Sequence, residues 1–276
     1  MKKLQVLARR LWMRLLSRTM QIFIISDCTD VNVLARYKAA FFRECPRSII
    51  ECVPTKHVLE AAGTGVDLIN ELRGQRGAVF INFAPRRDAD KKNGLSNGPD
   101  FVYFFVGKTL VVTSNTPSIF GVLHHFGVPY ENIRLIDCND DRFEKTQFRS
   151  GQIIPLVVKE ILTGEYVGQQ CEVENQCVKN RIWFVDNFGN CKTTIRDGIS
   201  GYFARSLHLD DKFVFFNEDK LPYYYGLTDV PDGTPACIYG SSGYQDESAA
   251  ELVIKGGSFA KRYGVKVGDE IIIKSR

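Results

Sequence analysis

Three polar clusters each follow an apolar, β-branched run. They hold the side chains best suited to gripping a small molecule. The first is Ser26-Asp27-Cys28-Thr29-Asp30, the second is Asn82 with Arg86, Arg87 and Asp88 behind it, and the third is Thr113-Ser114-Asn115-Thr116. In an open α/β sheet, ligands sit beyond the carboxyl ends of the strands, and such clusters would lie there. An aspartate at a strand end can accept both hydroxyl protons of a sugar diol. It can also cap a helix or a turn. A fourth cluster, Val185-Asp186-Asn187-Phe188-Gly189-Asn190, stands in the second half of the chain. A phenylalanine flanked by amides can stack on a nucleobase while the amides read its edge. The same residues are turn formers, so a hairpin turn fits them as well.

Other chemistries lack their residues. No Gly-x-Gly-x-x-Gly or Gly-x-x-x-x-Gly-Lys segment follows a strand, and no Gly-x-Ser-x-Gly elbow is present. Gly63-Thr64-Gly65 falls inside a helical pattern and reads as a packing feature. Eight cysteines occur without one Cys-x-x-Cys pair, and the four histidines stand at 57, 124, 125 and 208. Structural zinc sites pair their ligands two to four residues apart, so no metal site is expected. The cysteines read as reduced thiols of a cytoplasmic protein.

The elements that must position these clusters follow from periodicity. Apolar runs at 21–26, 48–53 and 78–83 predict buried strands. Runs at 101–106 and 109–113 around Gly107-Lys108 predict a hairpin, and 133–137 a further strand. Helical spacing covers 33–45, 57–73, 117–125 and 155–162. Strands alternating with helices predict a layered α/β domain with a mostly parallel sheet. After Gly164 the helical period nearly vanishes. Short runs at 167–177, 181–186, 191–195, 212–217, 235–240 and 251–256 predict a β-barrel or β-sandwich, with one short helix at 258–263. The expected division is an α/β domain over 20–165 and a β-rich domain over 168–276.

Residues 1–19 stand apart. Leu4, Leu7, Leu11 and Leu15 repeat at helical spacing with arginines between them. A membrane-surface anchor, an organelle transit peptide and a non-native stretch upstream of the true start all fit. The strand that begins directly after Met20 favours the last. The formal net charge of +4 is concentrated here, because residues 1–20 hold six basic and no acidic side chains. The other 256 residues hold 30 basic and 32 acidic ones, so the body is no general binder of nucleic acid. No apolar run reaches the ~20 residues of a membrane span, and no membrane partner is expected.

Taken in order, these segments resemble the S-adenosyl-L-methionine (SAM) hydroxide adenosyltransferases, relatives of the fluorinase and chlorinase. The matching pieces are Ser26-Asp27-Cys28-Thr29, Phe148-Arg149-Ser150 before the helix from Pro155, and Val185 to Asn190 followed by Thr194-Ile195. Ser241-Ser242-Gly243-Tyr244, Gly257-Ser258-Phe259-Ala260 and Gly268-Asp269 complete the set. The resemblance spans 20–276 and implies a homotrimer whose sites lie between neighbouring subunits. It implies that Asp27 holds the ribose diol, that Phe188 and Asn190 pack on and bond the ligand, and that Asp186 lies near the methionine amine. Phe148, Ser150, Ser241 and Ser242 would also bind the substrate. SAM would be substrate or ligand, with no cofactor.

The chain departs from the family pattern where catalysis is expected. The carboxylate position reads as Asn82, the histidine position as Arg149, and the arginine role falls to Arg86 or Arg87. Asn and Arg are not general bases near neutral pH. The resemblance therefore implies a SAM hydrolase that is slow. A non-catalytic SAM or adenosine binder, a halide-using adenosyltransferase and a membrane-surface adaptor built on residues 1–20 are the competing readings.

Overall fold

The apolar, β-branched runs of the first half form the strands expected of them. In the computed structural model, residues 19–84, 98–143, 146, 148–196, 212–216, 218–245 and 247–275 are described. The strands β1 (Met20–Ser26), β2 (Ser48–Pro54), β3 (Gly77–Asn82), β4 (Phe101–Val106), β5 (Thr109–Ser114) and β6 (Arg134–Ile136) make one sheet in the order β2-β1-β3-β5-β4-β6. β1, β2, β3 and β5 run parallel, while β4 is antiparallel to both β5 and β6. Every residue of β3 and β5 is buried, as their unbroken apolar runs require of central parallel strands.

Among the described residues the helices are α1 (Val31–Glu44), α2 (Val58–Leu72), α3 (Pro117–His125), α4 (Arg149–Gln152), α5 (Ile154–Thr163) and α6 (Phe259–Tyr263). Tyr37 and Phe41 of α1 and Ile154, Val157, Val158 and Ile161 of α5 share a core with Ile22, Ile24, Phe80, Leu110 and Val112 of the sheet. Pro155 sits in the first turn of α5, and Gly164 ends the helix with a left-handed cap at φ 74°.

The chain divides into two compact units that interleave along the sequence. One comprises the described residues of Met1–Lys56, Leu72–Thr116 and Tyr130–Val173. The other comprises those of His57–Glu71, Pro117–Pro129 and Glu174–Arg276. The first unit is therefore an α/β layer. In the second, β11 (Tyr223–Tyr224), β12 (Pro235–Tyr244), β13 (Glu247–Ile254), β8 (Cys191–Thr193) and β7 (Ile182–Val185) form one sheet in that order. β10 (Asp219–Leu221), β9 (Lys212–Phe216) and β14 (Ile272–Ser275) form another. Ile182, Cys191, Cys237 and Leu252 of the larger sheet share a core with Phe216 and Leu221 of the smaller and with Phe259 of α6. The β-rich region is thus two sheets packed on one core.

Helices α2 and α3 group with these later strands, and two glycines let them come close. A Cβ on Gly63 would stand 2.3 Å from the Trp183 ring, and one on Gly121 would stand 1.9 Å from the Gln176 carbonyl oxygen. Gly63 is the packing feature its place in a helical pattern suggested. The expected strand at 167–177 does not form. Only Gln170 bridges, to Arg134. Gln169 O accepts from Leu135 N at 2.8 Å and Cys171 N donates to Ile133 O at 3.0 Å. The segment then leaves the sheet, because its Gln and Glu residues give it no apolar face to bury.

Candidate functional site

The strand-end clusters of the first unit come together in space. Ser26 ends β1 and Asn82 ends β3, and their Cα positions pair across the parallel ladder. Asn82 Nδ2 donates to Ser26 Oγ at 3.1 Å and to the Tyr37 hydroxyl at 3.0 Å. The Tyr37 hydroxyl meets Ser150 Oγ at 2.8 Å. All four side chains are buried; Asn82 is 4% exposed and Ser150 9%. Burial raises the Tyr37 hydroxyl pKa well above its ordinary value, and the Ser150 hydrogen bond offsets part of that. This closed chain of hydroxyls and one amide can hold and orient a polar group. It cannot remove a proton at neutral pH.

Asp27 stands at the rim of this chain. Its Oδ2 accepts from Ala84 N at 3.1 Å and its own N–H donates to Asn82 O at 3.2 Å. Two carboxylate oxygens offer about four lone-pair sites, enough to serve both the bond from Ala84 and a sugar diol. Asp30, not Asp27, occupies the position before α1, and its side chain makes no cap bond. The Cys28 thiol lies 3.8 Å from Asp27 Oδ1. Its pKa is raised, first by burial and then by the Asp27 charge, so it is no ready nucleophile.

Phe148 packs against this network, and Arg149 bonds the backbone ahead of β4. The Phe148 ring lies 5.1 Å from the Tyr37 ring, and the Arg36 guanidinium sits 4.4 Å from its centroid. Arg149 donates to the carbonyls of Gly98 and Pro99 at 3.1 Å each and lies 5.6 Å from the Phe101 ring centroid. Arg86 and Arg87 lie outside the described residues. Tyr37 was the participant hidden from sequence reading, because it falls on the apolar face of α1. A buried tyrosine needs a partner for its hydroxyl, and that is the signal its position offered.

In the second unit, Asp186 organises the turn after β7. Its Oδ1 accepts from Phe188 N at 2.9 Å and Asn190 N at 2.8 Å, and its Oδ2 from Asn190 Nδ2 at 3.0 Å. Gly189 takes φ 86°, and a Cβ there would strike Ser258 Oγ at 1.9 Å. Its carbonyl accepts from Ala260 N at 3.0 Å. The turn is therefore pinned to the start of α6 while Phe188 at its tip is 71% exposed. The segment is the turn that its residues suggested, and it leaves an aromatic ring unburied.

Ser241 and Ser242 lie in β12, whose register with β13 shifts between Tyr239 and Gly243. Ser241 donates through N and Oγ to Glu251 Oε1 at 2.9 and 3.1 Å. Ser242 Oγ donates to Asp67 Oδ2 at 2.8 Å and takes a bond from Lys192 Nζ. Gly243 N also donates to Asp67, at 3.1 Å. Burial raises the Asp67 pKa, with Lys192 the main opposing influence. Lys192 belongs to the strand that leaves the Asp186 turn, so its bond ties that strand to the shifted segment of β12. Asp67, Lys192 and Glu251 carried no sequence signal, since their partners are remote in the chain.

Residues 180–272 match the family described as the SAM hydroxide adenosyltransferase C-terminal domain. Over this stretch the chain is similar to that family. The matched stretch contains the Asp186 turn and the shifted segment of β12. A conserved protein of Thermotoga maritima, described as uncharacterized, shares the fold with a TM-score of 0.68 at 20% identity, covering 92% of this chain and all of its own. A conserved hypothetical protein of Thermus thermophilus does so with a TM-score of 0.61 at 17% identity, covering 94% of this chain and all of its own. No curated protein matches the chain. Among the described residues, no helix is long and apolar enough to cross a membrane.

Proposed function

We propose that this protein binds S-adenosyl-L-methionine and transfers its adenosyl group slowly to water, giving adenosine and L-methionine. The observation that carries the reading is the family match over 180–272, joined to an aspartate at the end of β1 beside a buried amide and hydroxyl network. Asp27 holds the ribose hydroxyls. Phe188 stacks on the ligand and Asn190 bonds it, while Asp186 keeps the turn in shape. Ser241, Ser242, Phe148 and Ser150 complete the binding surface, in a cytoplasmic homotrimer whose sites are shared between copies.

In the reaction, a water oxygen forms a bond to the ribose 5′ carbon as the carbon–sulfur bond breaks. The bonding pair leaves with sulfur, which neutralises the sulfonium, and the attacking water releases one proton to solvent. A good leaving group makes alignment and desolvation of the water the main task. Asn82, fixed by Ser26 and Tyr37, offers its amide oxygen to that water. Arg149 serves by holding the backbone at Gly98 and Pro99, and Arg86 or Arg87 takes the arginine role. With no base among these side chains, the ~10² to 10⁴ that general base catalysis supplies is missing.

A second reading, a SAM or adenosine binder without turnover, is favoured by the same replacement of a base with Asn82. Incubation with SAM and chromatography for adenosine and methionine separates the two. Product at a slow but enzyme-dependent rate supports hydrolysis. Calorimetric binding without product selects the binder. Methionine together with 5′-chloro-5′-deoxyadenosine in place of adenosine, formed only with added chloride, selects the halide reaction.

A further inference from the structure

The amino-terminal edge of the first sheet carries a cavity that the proposed reaction does not use. Its volume is about 370 Å³, within the range of small-molecule pockets. Met20 at the start of β1 and Leu162 near the end of α5 give it an apolar floor, and both are buried. Cys45, Pro46, Ser48 and Thr163 wall it, and among the described residues no aromatic ring lines it. Arg47, Arg76 and Lys159 stand around it with a single acid, Glu44. That acid is already engaged by Arg43 at 2.9 Å and Lys159 at 3.6 Å. The last turns of α1 and α5 also border the cavity, and each helix end contributes about half a negative charge. Among the described lining residues the cations outnumber the acid.

The Cys45 thiol registers these charges. Burial pushes it up to about 11, Glu44 adds to the rise, and Lys159 and Arg76 oppose it. Both cations are thus within electrostatic reach of the wall, and the thiol itself stays neutral and apolar at physiological pH. β1 is seven residues long, so roughly 20 Å separates this edge from Ser26 and Asp27.

We propose that this cavity is a binding site for a short aliphatic carboxylate. The hydrocarbon chain lies on Met20 and Leu162, and the carboxylate faces Arg47 and Arg76. The lining selects an aliphatic body because it offers no ring to stack on. The excess of cations selects an acid head over a neutral one.

Isothermal titration of the full chain with octanoate and with octanamide tests this. Octanoate is expected to bind at one site per chain, roughly two- to fivefold more tightly than octanamide, the range for partly exposed ion pairs. Arg47→Glu combined with Arg76→Glu is expected to abolish that preference, with the far-ultraviolet circular dichroism spectrum of a folded chain retained. Thr163→Trp, which fills the cavity from its wall, is expected to lose both ligands. Equal binding of acid and amide by the unaltered protein would overturn the proposal. So would a preference that survives charge reversal, or no saturable octanoate binding in the millimolar range. The comparison of the two ligands needs no variant, so a poorly folded mutant does not decide the matter.

Discussion

The two units hold their candidate residues in opposite ways. At the end of the first sheet, Asn82, Tyr37 and Ser150 are buried and bonded to one another. On the turn after β7, Asp186 and Asn190 bond mainly within the loop, and Phe188 is left 71% exposed. The first arrangement is a self-satisfied polar network, which rigidifies but has little spare chemistry. The second is a preformed tip with an aromatic to offer. The family match covers the second arrangement and not the first. On the proposed function, a protein so built would retain ligand binding better than catalysis.

The largest expected effect would sharpen that contrast by restoring a base. Asn82→Asp with Arg149→His should raise SAM hydrolysis by about 10² or more, following the usual contribution of general base catalysis. A carboxyl at position 82 is buried, so its pKa will be raised. The gain should therefore grow as pH rises through that value, where the ionised form takes over. Rates across pH check both points. A double variant no faster than the unaltered protein would put the catalytic positions elsewhere, with Asp88 and Asp90 next to examine.

Asp27→Ala comes next. It should weaken nucleoside binding by about 1.5 to 3 kcal/mol, the range for hydrogen bonds to a charged group, as read by calorimetry. Tyr37→Phe should cost about 1 to 3 kcal/mol of stability in urea titration, since it strips Asn82 and Ser150 of a buried partner. Gly63→Ala should cost a similar amount through overpacking against Trp183. Phe188→Ala should be the smallest. Stability should change by less than about 0.5 kcal/mol, while ligand affinity falls by about 0.5 to 1.5 kcal/mol through lost stacking. If Phe188→Ala destabilises the fold as much as Tyr37→Phe, the contrast between a buried network and an offered tip fails.

Much of this architecture was legible in the sequence. Unbroken apolar runs such as 78–83 and 101–106 mark buried strands, and Ser26 and Asn82 mark the carboxyl ends of the parallel strands β1 and β3. Asp186-Asn187-Phe188-Gly189-Asn190 was visible as a turn, and the turn leaves Phe188 exposed. Other features were hidden for physical reasons. Periodicity reports which face of α2 and α3 is apolar, not which strands cover it, so their grouping with β7 and its neighbours could not be read. Tyr37 looked like one more core residue, because spacing cannot tell a hydroxyl with a partner from a ring without one. The segment 167–177 has the composition of an extended chain, yet only a few of its backbone groups find a ladder.

The proposed function makes Asn82 and Arg149 the residues that set the rate of the α/β unit, and the unaltered protein can be asked directly. Purified protein should be titrated with SAM in a calorimeter, and the same solution followed by chromatography for adenosine and methionine. The expected result is saturable binding with slow release of both products, well below the rate of a family member that keeps the acid and the histidine. Turnover as fast as such a member, or no binding of SAM at all, would contradict it.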